Sequence, residues 1–162
     1  MERRDKINYY LDLAEIASER CTCLRRMWGA ILVKNDEIIA TGYNGAPRGR
    51  KNCIDMNYCV RAKNNIPRGE RYEMCRSVHA EANAIISAAR KDTLGSTLYM
   101  VGREVDTKEY VTKARPCAMC KRMIINAGIK EIYVRNTKEE YEKIDVQEFI
   151  ENDETLEMVK GY

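Results

Sequence analysis

Apolar positions recur at helical spacing through Ile7, Tyr10, Leu11, Ala14 and Ala17, which predicts an amphipathic helix over residues 5–20. The period then shortens. Residues 30–33 (Ala-Ile-Leu-Val) and 37–43 (Glu-Ile-Ile-Ala-Thr-Gly-Tyr) are β-rich runs on either side of Lys34, Asn35 and Asp36, a polar turn that predicts a hairpin of two core strands. Residues 44–76 carry Gly45, Pro47, Gly49, Pro67 and Gly69 among many charges, too long and too punctuated for a simple connection, so something must hold this loop. Small apolar residues and strong helix formers predict a helix over 80–89. A buried strand follows at 97–101, and a second helix is expected over 118–127 with Gly128 as its stop. Residues 131–134 read as a further strand. In the acidic tail, a short helix over 146–150 is expected to dock Val146, Phe149 and Ile150 on the body. There is no internal repeat and no low-complexity tract. Strands alternating with helices argue for an α/β sandwich around a mixed sheet, in one domain spanning residues 1–162.

Composition narrows the class. In a chain of 162 residues, 44% hydrophobic against 33% charged is enough for one compact core. The formal net charge of +3, with basic and acidic residues interspersed, does not make a nucleic-acid surface, and a small-molecule substrate fits better. The start, Met1-Glu2-Arg3-Arg4-Asp5, has no apolar run behind it long enough for a signal peptide or a membrane span, which places the protein in the cytoplasm and away from membranes. Seven cysteines there stay reduced, so they read as metal ligands or small buried apolar residues rather than a disulfide framework.

Two short motifs carry the chemistry. His79-Ala80-Glu81 opens one expected helix and Pro116-Cys117-Ala118-Met119-Cys120 opens another, together the H-x-E and P-C-x-x-C signature of zinc-dependent nucleobase deaminases. Cys117 and Cys120, three apart on a helix, project their sulfurs from one face toward one point. Pro116 sits where a missing N–H costs nothing, and the positive ends of the two helices favour thiolate over thiol. His79, Cys117 and Cys120 thus make three protein ligands for a catalytic zinc and leave its fourth position open for water, whose pKa zinc lowers to about 7. Glu81, two residues from His79, can reach that water without binding the metal. It is the expected proton shuttle, from water to ring N3 and then to the departing ammonia, which requires its pKa to be raised by an enclosed site. Taken alone, Cys117-x-x-Cys120 would suit a redox pair and His79 a satisfied core or surface histidine. It is the only histidine in the chain, and it stands beside a glutamate.

Thr41-Gly42-Tyr43-Asn44-Gly45-Ala46-Pro47, the cysteine-bearing loop and His79-Ala80-Glu81-Ala82-Asn83-Ala84-Ile85 resemble the deoxycytidylate (dCMP) deaminases of phages and bacteria, over a stretch from about Cys23 to Val134. The resemblance implies a three-layer α/β/α sandwich with a central mixed five-stranded sheet and hydrolysis of dCMP to dUMP, a dTMP precursor, with release of ammonia. It implies that Asn44 contacts the deoxyribose and that Ala80 belongs to the substrate site. The plain reading of Asn44-Gly45 is a turn. For the substrate phosphate, Arg25 and Arg26 just before the first strand are the best placed cations, with Arg48, Arg50 and Arg115 behind them. The family further implies a hexamer activated by dCTP and inhibited by dTTP, with magnesium, at a site that would include Gly42, Tyr43, Gly45 and Arg90. Cys23, Cys53, Cys59 and Cys75 bracket the long loop, and a second, structural zinc on these four thiolates would fix it, as in some relatives. Their wide spacing also suits reduced, partly buried thiols. Cys21 has no assignment.

Two stretches depart from the family: residues 102–115, an insertion ahead of the proline-cysteine motif, and the segment after Arg135. The insertion leaves CMP, cytidine or a free base open as substrates. A zinc-binding module without catalysis would have no use for Glu81. An editor of RNA or single-stranded DNA would want a basic, aromatic-lined channel, which 7% aromatic residues, mostly tyrosine, do not announce.

Overall fold

The computed structural model describes residues 1–156; the last residues of the acidic tail lie outside the described ones. Five strands, β1 (Arg26–Lys34), β2 (Glu37–Tyr43), β3 (Thr97–Glu104), β4 (Glu131–Arg135) and β5 (Tyr141–Asp145), form one mixed sheet in the order β2-β1-β3-β4-β5. β1 runs antiparallel to both β2 and β3, β3 and β4 are parallel, and β5 returns antiparallel to β4. A parallel pair needs a crossover, and the helix α6 (Ala118–Ala127) provides it.

Helices cover both faces of the sheet, giving the three layers expected. On one face α1 (Lys6–Ser18) packs Tyr10, Leu11 and Ala14 against Ile31, Val33, Tyr99 and Val101. On the other, α4 (Ala80–Ile86) and α6 bury Ala80, Ala84, Cys120, Ile124 and Ala127 with Leu32, Leu98, Met100, Ile132 and Val134. Covered twice, β1 is buried along nearly its whole length, whereas edge strand β2 ends in alternation. The helices approach β1 and β2 closely because two strand residues lack side chains. A Cβ on Gly29 would lie 1.8 Å from the carbonyl oxygen of Ala14 in α1, and one on Gly42 would lie 2.1 Å from that of Ala80 in α4.

Several expectations shift. β1 starts at Arg26 rather than residue 30, because its pairing with β3 continues to Glu104, inside the supposed insertion. The supposed insertion therefore begins as an extension of the strand, over residues 102–104, and then turns back: Arg103 bridges Tyr110, and the Tyr110 hydroxyl donates to Glu15 of α1 at 3.0 Å. The helix expected over 80–89 ends at Ile86, and a separate turn of helix, α5 (Arg90–Thr93), follows. β5 was not expected from the pattern of Tyr141-Glu142-Lys143-Ile144-Asp145, in which only Ile144 is buried. The last short helix, α7 (Gln147–Glu151), docks through Val146 and Phe149, but Ile150 is exposed. α6 matches its expected bounds, closed by Gly128 at φ 72°. The long loop contains two single-turn helices, α2 (Cys53–Met56) and α3 (Val60–Lys63). Among the described residues no helix is long and apolar enough to cross a membrane.

Candidate active site

His79 and Cys117 occupy equivalent positions. Each is the residue capping the start of its helix, with extended backbone (ψ 157° and 164°), and the two helix starts lie side by side. Cys120 lies one turn into α6. The result is a triangle: His79 Nδ1 is 3.5 Å from both Cys117 Sγ and Cys120 Sγ, and the three ligand atoms lie within 4.8 Å of one another. Among the described residues no other three His, Cys, Asp or Glu side chains gather their ligand atoms so tightly.

The electrostatics of the triangle fit a divalent cation. The Cys117 thiol is drawn down to about 4 by its hydrogen bonds with Cys120 and His79, against the effect of burial. Cys120 is pushed up by the same shared proton and by burial. Burial opposes charge on His79, yet hydrogen bonds with Cys117 and Cys75 and the nearby Glu81 carboxyl raise it to about 11. Two sulfurs and an imidazole thus crowd around protons that a cation would displace, and one nitrogen with two sulfurs is a donor set suited to zinc. Glu81, the second residue of α4, is 5% exposed, and burial pushes its carboxyl up. It lies within hydrogen-bond reach of Cys120.

These groups sit at the base of a cavity of about 510 Å³ whose walls come from four parts of the chain. β1 and the turn before it give Cys23, Arg25, Arg26 and Trp28. The end of the β2 hairpin gives Asn44. The long loop gives Cys59, Arg61, Arg68, Tyr72, Cys75 and Ser77, and the 102–115 stretch gives Val111, Thr112, Ala114 and Arg115. Ala80 lines it too.

Of the expected phosphate ligands, Arg26 is engaged by Glu104 at 2.8 Å and Arg115 makes a two-pronged bond with Glu142 at 2.9 and 2.6 Å. Arg25 lines the cavity without an ion pair among the described residues. Arg48 and Arg50 are exposed and do not line it. Asn44 is buried, and its amide is occupied by β1: Oδ1 accepts from the Trp28 N–H at 2.8 Å and Nδ2 donates to the Arg26 carbonyl at 2.9 Å.

The supposed effector residues do not converge. Gly42 packs on α4, Gly45 is buried beside Thr22, and Tyr43 is exposed. Arg90 lines a different cavity with Ile85, Met119 and Met123, to which none of the other three contributes. Cys23, Cys53, Cys59 and Cys75 are neighbours, since the other three thiols add to the effect of burial in raising Cys53 to about 11. No three of them come within the 4.8 Å span of the first triangle, and Cys75 turns toward His79. Cys21 braces the turn before β1, where the Cys23 N–H meets its sulfur at 3.4 Å.

Sequence reasoning missed Trp28, Arg61, Arg68, Tyr72 and Ser77. No motif marks them, and they reach the cavity only because the loop folds back over the start of β1.

A family model described as the cytidine and deoxycytidylate deaminase zinc-binding region matches residues 4–136. The chain is 36% identical over 137 residues to the deoxycytidylate deaminase of Mycobacterium phage D29, covering 82% of this chain and 95% of that protein. It is 34% identical over 125 residues to the deoxycytidylate deaminase of Schizosaccharomyces pombe, covering 77% of this chain but only 35% of the fungal protein, so it spans about a third of that relative's length. The crystal structure of dCMP deaminase from the cyanophage S-TIM5 in complex with dCMP and dUMP superposes with a TM-score of 0.57 at 29% identity, over 84% of this chain and 85% of that one. Since the matched region runs from α1 through β4 and includes His79, Glu81, Cys117 and Cys120, the chain belongs to the zinc-binding family of cytidine and deoxycytidylate deaminases.

Proposed function

We propose that the protein hydrolyses dCMP to dUMP and ammonia with one catalytic zinc held by His79, Cys117 and Cys120. The observation that carries this reading is Glu81: a carboxyl group almost wholly buried, raised toward neutrality by that burial, and placed beside a three-ligand metal triangle at the floor of an arginine-lined cavity. The zinc-binding family and the named phage relatives support the same substrate class.

Zinc on these ligands would supply a Lewis acid that eases removal of a proton from the attacking water. Glu81 takes that proton and delivers it to N3 as the oxygen adds to C4. A second proton then passes through the same carboxylate from the new C4 hydroxyl to the amino group, which leaves as ammonia while C4 becomes a carbonyl. Burial suits Glu81 to this task, because raising the pKa of a carboxyl group makes it a stronger base toward the water proton that it then passes on. Ala80 and Trp28 line the cavity beside it. Asn44 contacts the deoxyribose through the hydrogen-bonding capacity that its bonds to β1 leave over, one lone pair and one N–H.

The finer readings rest on the resemblance. A structural zinc on Cys23, Cys53, Cys59 and Cys75 is supported by their being neighbours; binding would have to draw them together. A hexamer regulated by dCTP with magnesium, and by dTTP, is supported by the Gly42-Tyr43-Asn44-Gly45 sequence alone. A cytoplasmic location accords with seven cysteines, none of them in a disulfide.

One experiment covers these readings: zinc content of the purified protein, then ammonia release from dCMP, CMP, deoxycytidine and cytidine, each with and without dCTP and magnesium. Preference for dCMP is expected. No release from dCMP by zinc-loaded protein refutes the substrate assignment, a single zinc per chain removes the structural site, and indifference to dCTP removes the regulatory one.

A further inference from the structure

The cavity is lined by one deeply buried cation, Arg61. Arg61, on α3, is 6% exposed, yet it makes no ion pair among the described residues. Its guanidinium lies over the Tyr72 ring at 4.4 Å, and Nη2 donates to the carbonyl oxygens of Pro67 (2.8 Å) and Glu70. Nε is buried with no hydrogen-bond partner among the described residues. Ser77 Oγ, also buried and unpartnered, lines the same cavity.

Arg103 and Arg135 also bury an unpartnered Nε, but both are ion-paired; at Arg61 a ligand anion reaching Nε and Ser77 Oγ from the cavity would relieve the buried charge and the unused donor together. Of the other arginines of the cavity, Arg26 and Arg68 share Glu104 and Arg115 is held by Glu142; Arg25 also lacks an ion pair among the described residues, but unlike Arg61 it is not among the buried side chains. Arg61 is also preorganised. The ring beneath it and the two carbonyls fix the plane of its fork, so little side-chain freedom is left to lose on binding.

The position fits one part of the substrate. Tyr72 stands edge-on to the His79 ring, centroids 5.4 Å apart, so the chain of contacts from metal triangle to guanidinium crosses a single aromatic ring. A nucleotide with its C4 over the triangle carries its 5′-phosphate at the opposite end of its length, and Arg61 lines the same cavity one aromatic ring away from that triangle. We propose that Arg61, held by Tyr72, is the residue that binds the 5′-monophosphate and makes the enzyme prefer nucleotide over nucleoside. The proposal rests on the deaminase reading above and adds to it a specificity-determining residue from the cysteine-bearing loop.

The test compares wild-type, Arg61→Gln and Arg61→Lys zinc-loaded protein on dCMP and deoxycytidine, with zinc content and melting temperature measured alongside. Arg61→Gln should raise KM for dCMP by about tenfold or more with little change in kcat, and leave kcat/KM for deoxycytidine unchanged. Arg61→Lys, which keeps the charge without the fork, should fall between and serves if the glutamine variant does not fold. Equal losses on both substrates would assign Arg61 to holding the loop and overturn the proposal, as would an unchanged KM for dCMP in both variants. Inorganic phosphate titrated against the fluorescence of Trp28, the only tryptophan and a cavity residue, separates this from the activity itself. If the wild type deaminates neither substrate, the deaminase reading fails. Phosphate binding that is lost with Arg61 would still support the anion site, and absence of phosphate binding in the wild type would overturn it.

Discussion

Gly42→Ala should damage the enzyme at a distance from any ligand. The new Cβ would lie 2.1 Å from the Ala80 carbonyl oxygen and 2.6 Å from the Ala84 nitrogen, whereas ordinary contact begins near 3.4 Å. Both obstructing atoms are backbone, so no rotamer change relieves the clash, and α4 must retreat from β2 by roughly 1 Å. Overpacking of a core costs about 1–3 kcal/mol, and a backbone-to-backbone clash belongs at the upper end. At about 2–4 °C per kcal/mol for a chain of this size, the melting temperature should fall by roughly 6–12 °C. α4 starts directly after His79 and carries Glu81 as its second residue, so the same retreat moves ligand and proton shuttle together. A displacement near 1 Å can cost on the order of 100-fold in rate. Thermal unfolding by circular dichroism and ammonia release from dCMP read the two effects, with Gly49→Ala as control. Gly49, at φ 83° with nothing within 4 Å of an added Cβ, should lose only about 1 kcal/mol and keep its activity. If Gly42→Ala melts within 2 °C or so of wild type and changes only the response to dCTP, the packing argument is wrong and Gly42 belongs to an effector site.

Glu81→Gln keeps the shape of the side chain but cannot carry a proton. It should retain zinc while kcat drops by about 10²–10⁴-fold, and an active variant would refute the shuttle role. At the opposite face, Arg135 is fully buried and bonds Asp12 at 2.9 Å and Glu15 at 2.7 Å. Arg135→Ala removes the one fully buried partner of those carboxylates and should destabilise by about 3 kcal/mol in urea unfolding; a loss below about 1 kcal/mol would mean that Arg4, Arg103 and Lys138 suffice. Burial works against ionisation of Asp12, but bonds from Arg4, Lys138 and Arg135 hold it at about 2. Its folded value lies below the unfolded one, so its contribution is complete above about pH 4 and disappears as the pH falls toward 2. Urea midpoints that stay flat over that interval would contradict the assignment.

The chemistry was legible in the sequence because it is local. Two ligands three residues apart at the start of one helix, and a ligand and carboxylate two apart at the start of another, need only those helices to form. The matching bounds of α6 show how strongly propensity and Gly128 determine them. The sheet was partly legible: β1 and β2 are apolar enough to read, whereas β5 carries one buried residue and exists because β4 offers it an edge. The walls of the cavity were not legible. Arg61, Tyr72 and Trp28 lie far apart in sequence, and no spacing rule joins them. They meet because β1 sits beside β3 in mid-sheet and the long loop folds back across their ends. Likewise Gly42, which resembles a turn or effector residue in sequence, owes its role to a helix whose carbonyl comes to rest against it. Bonding capacity and local geometry are properties of residue types at short spacing, and one chain reveals them. Which distant surfaces become a cavity wall depends on how layers pack, and that only the tertiary structure decides.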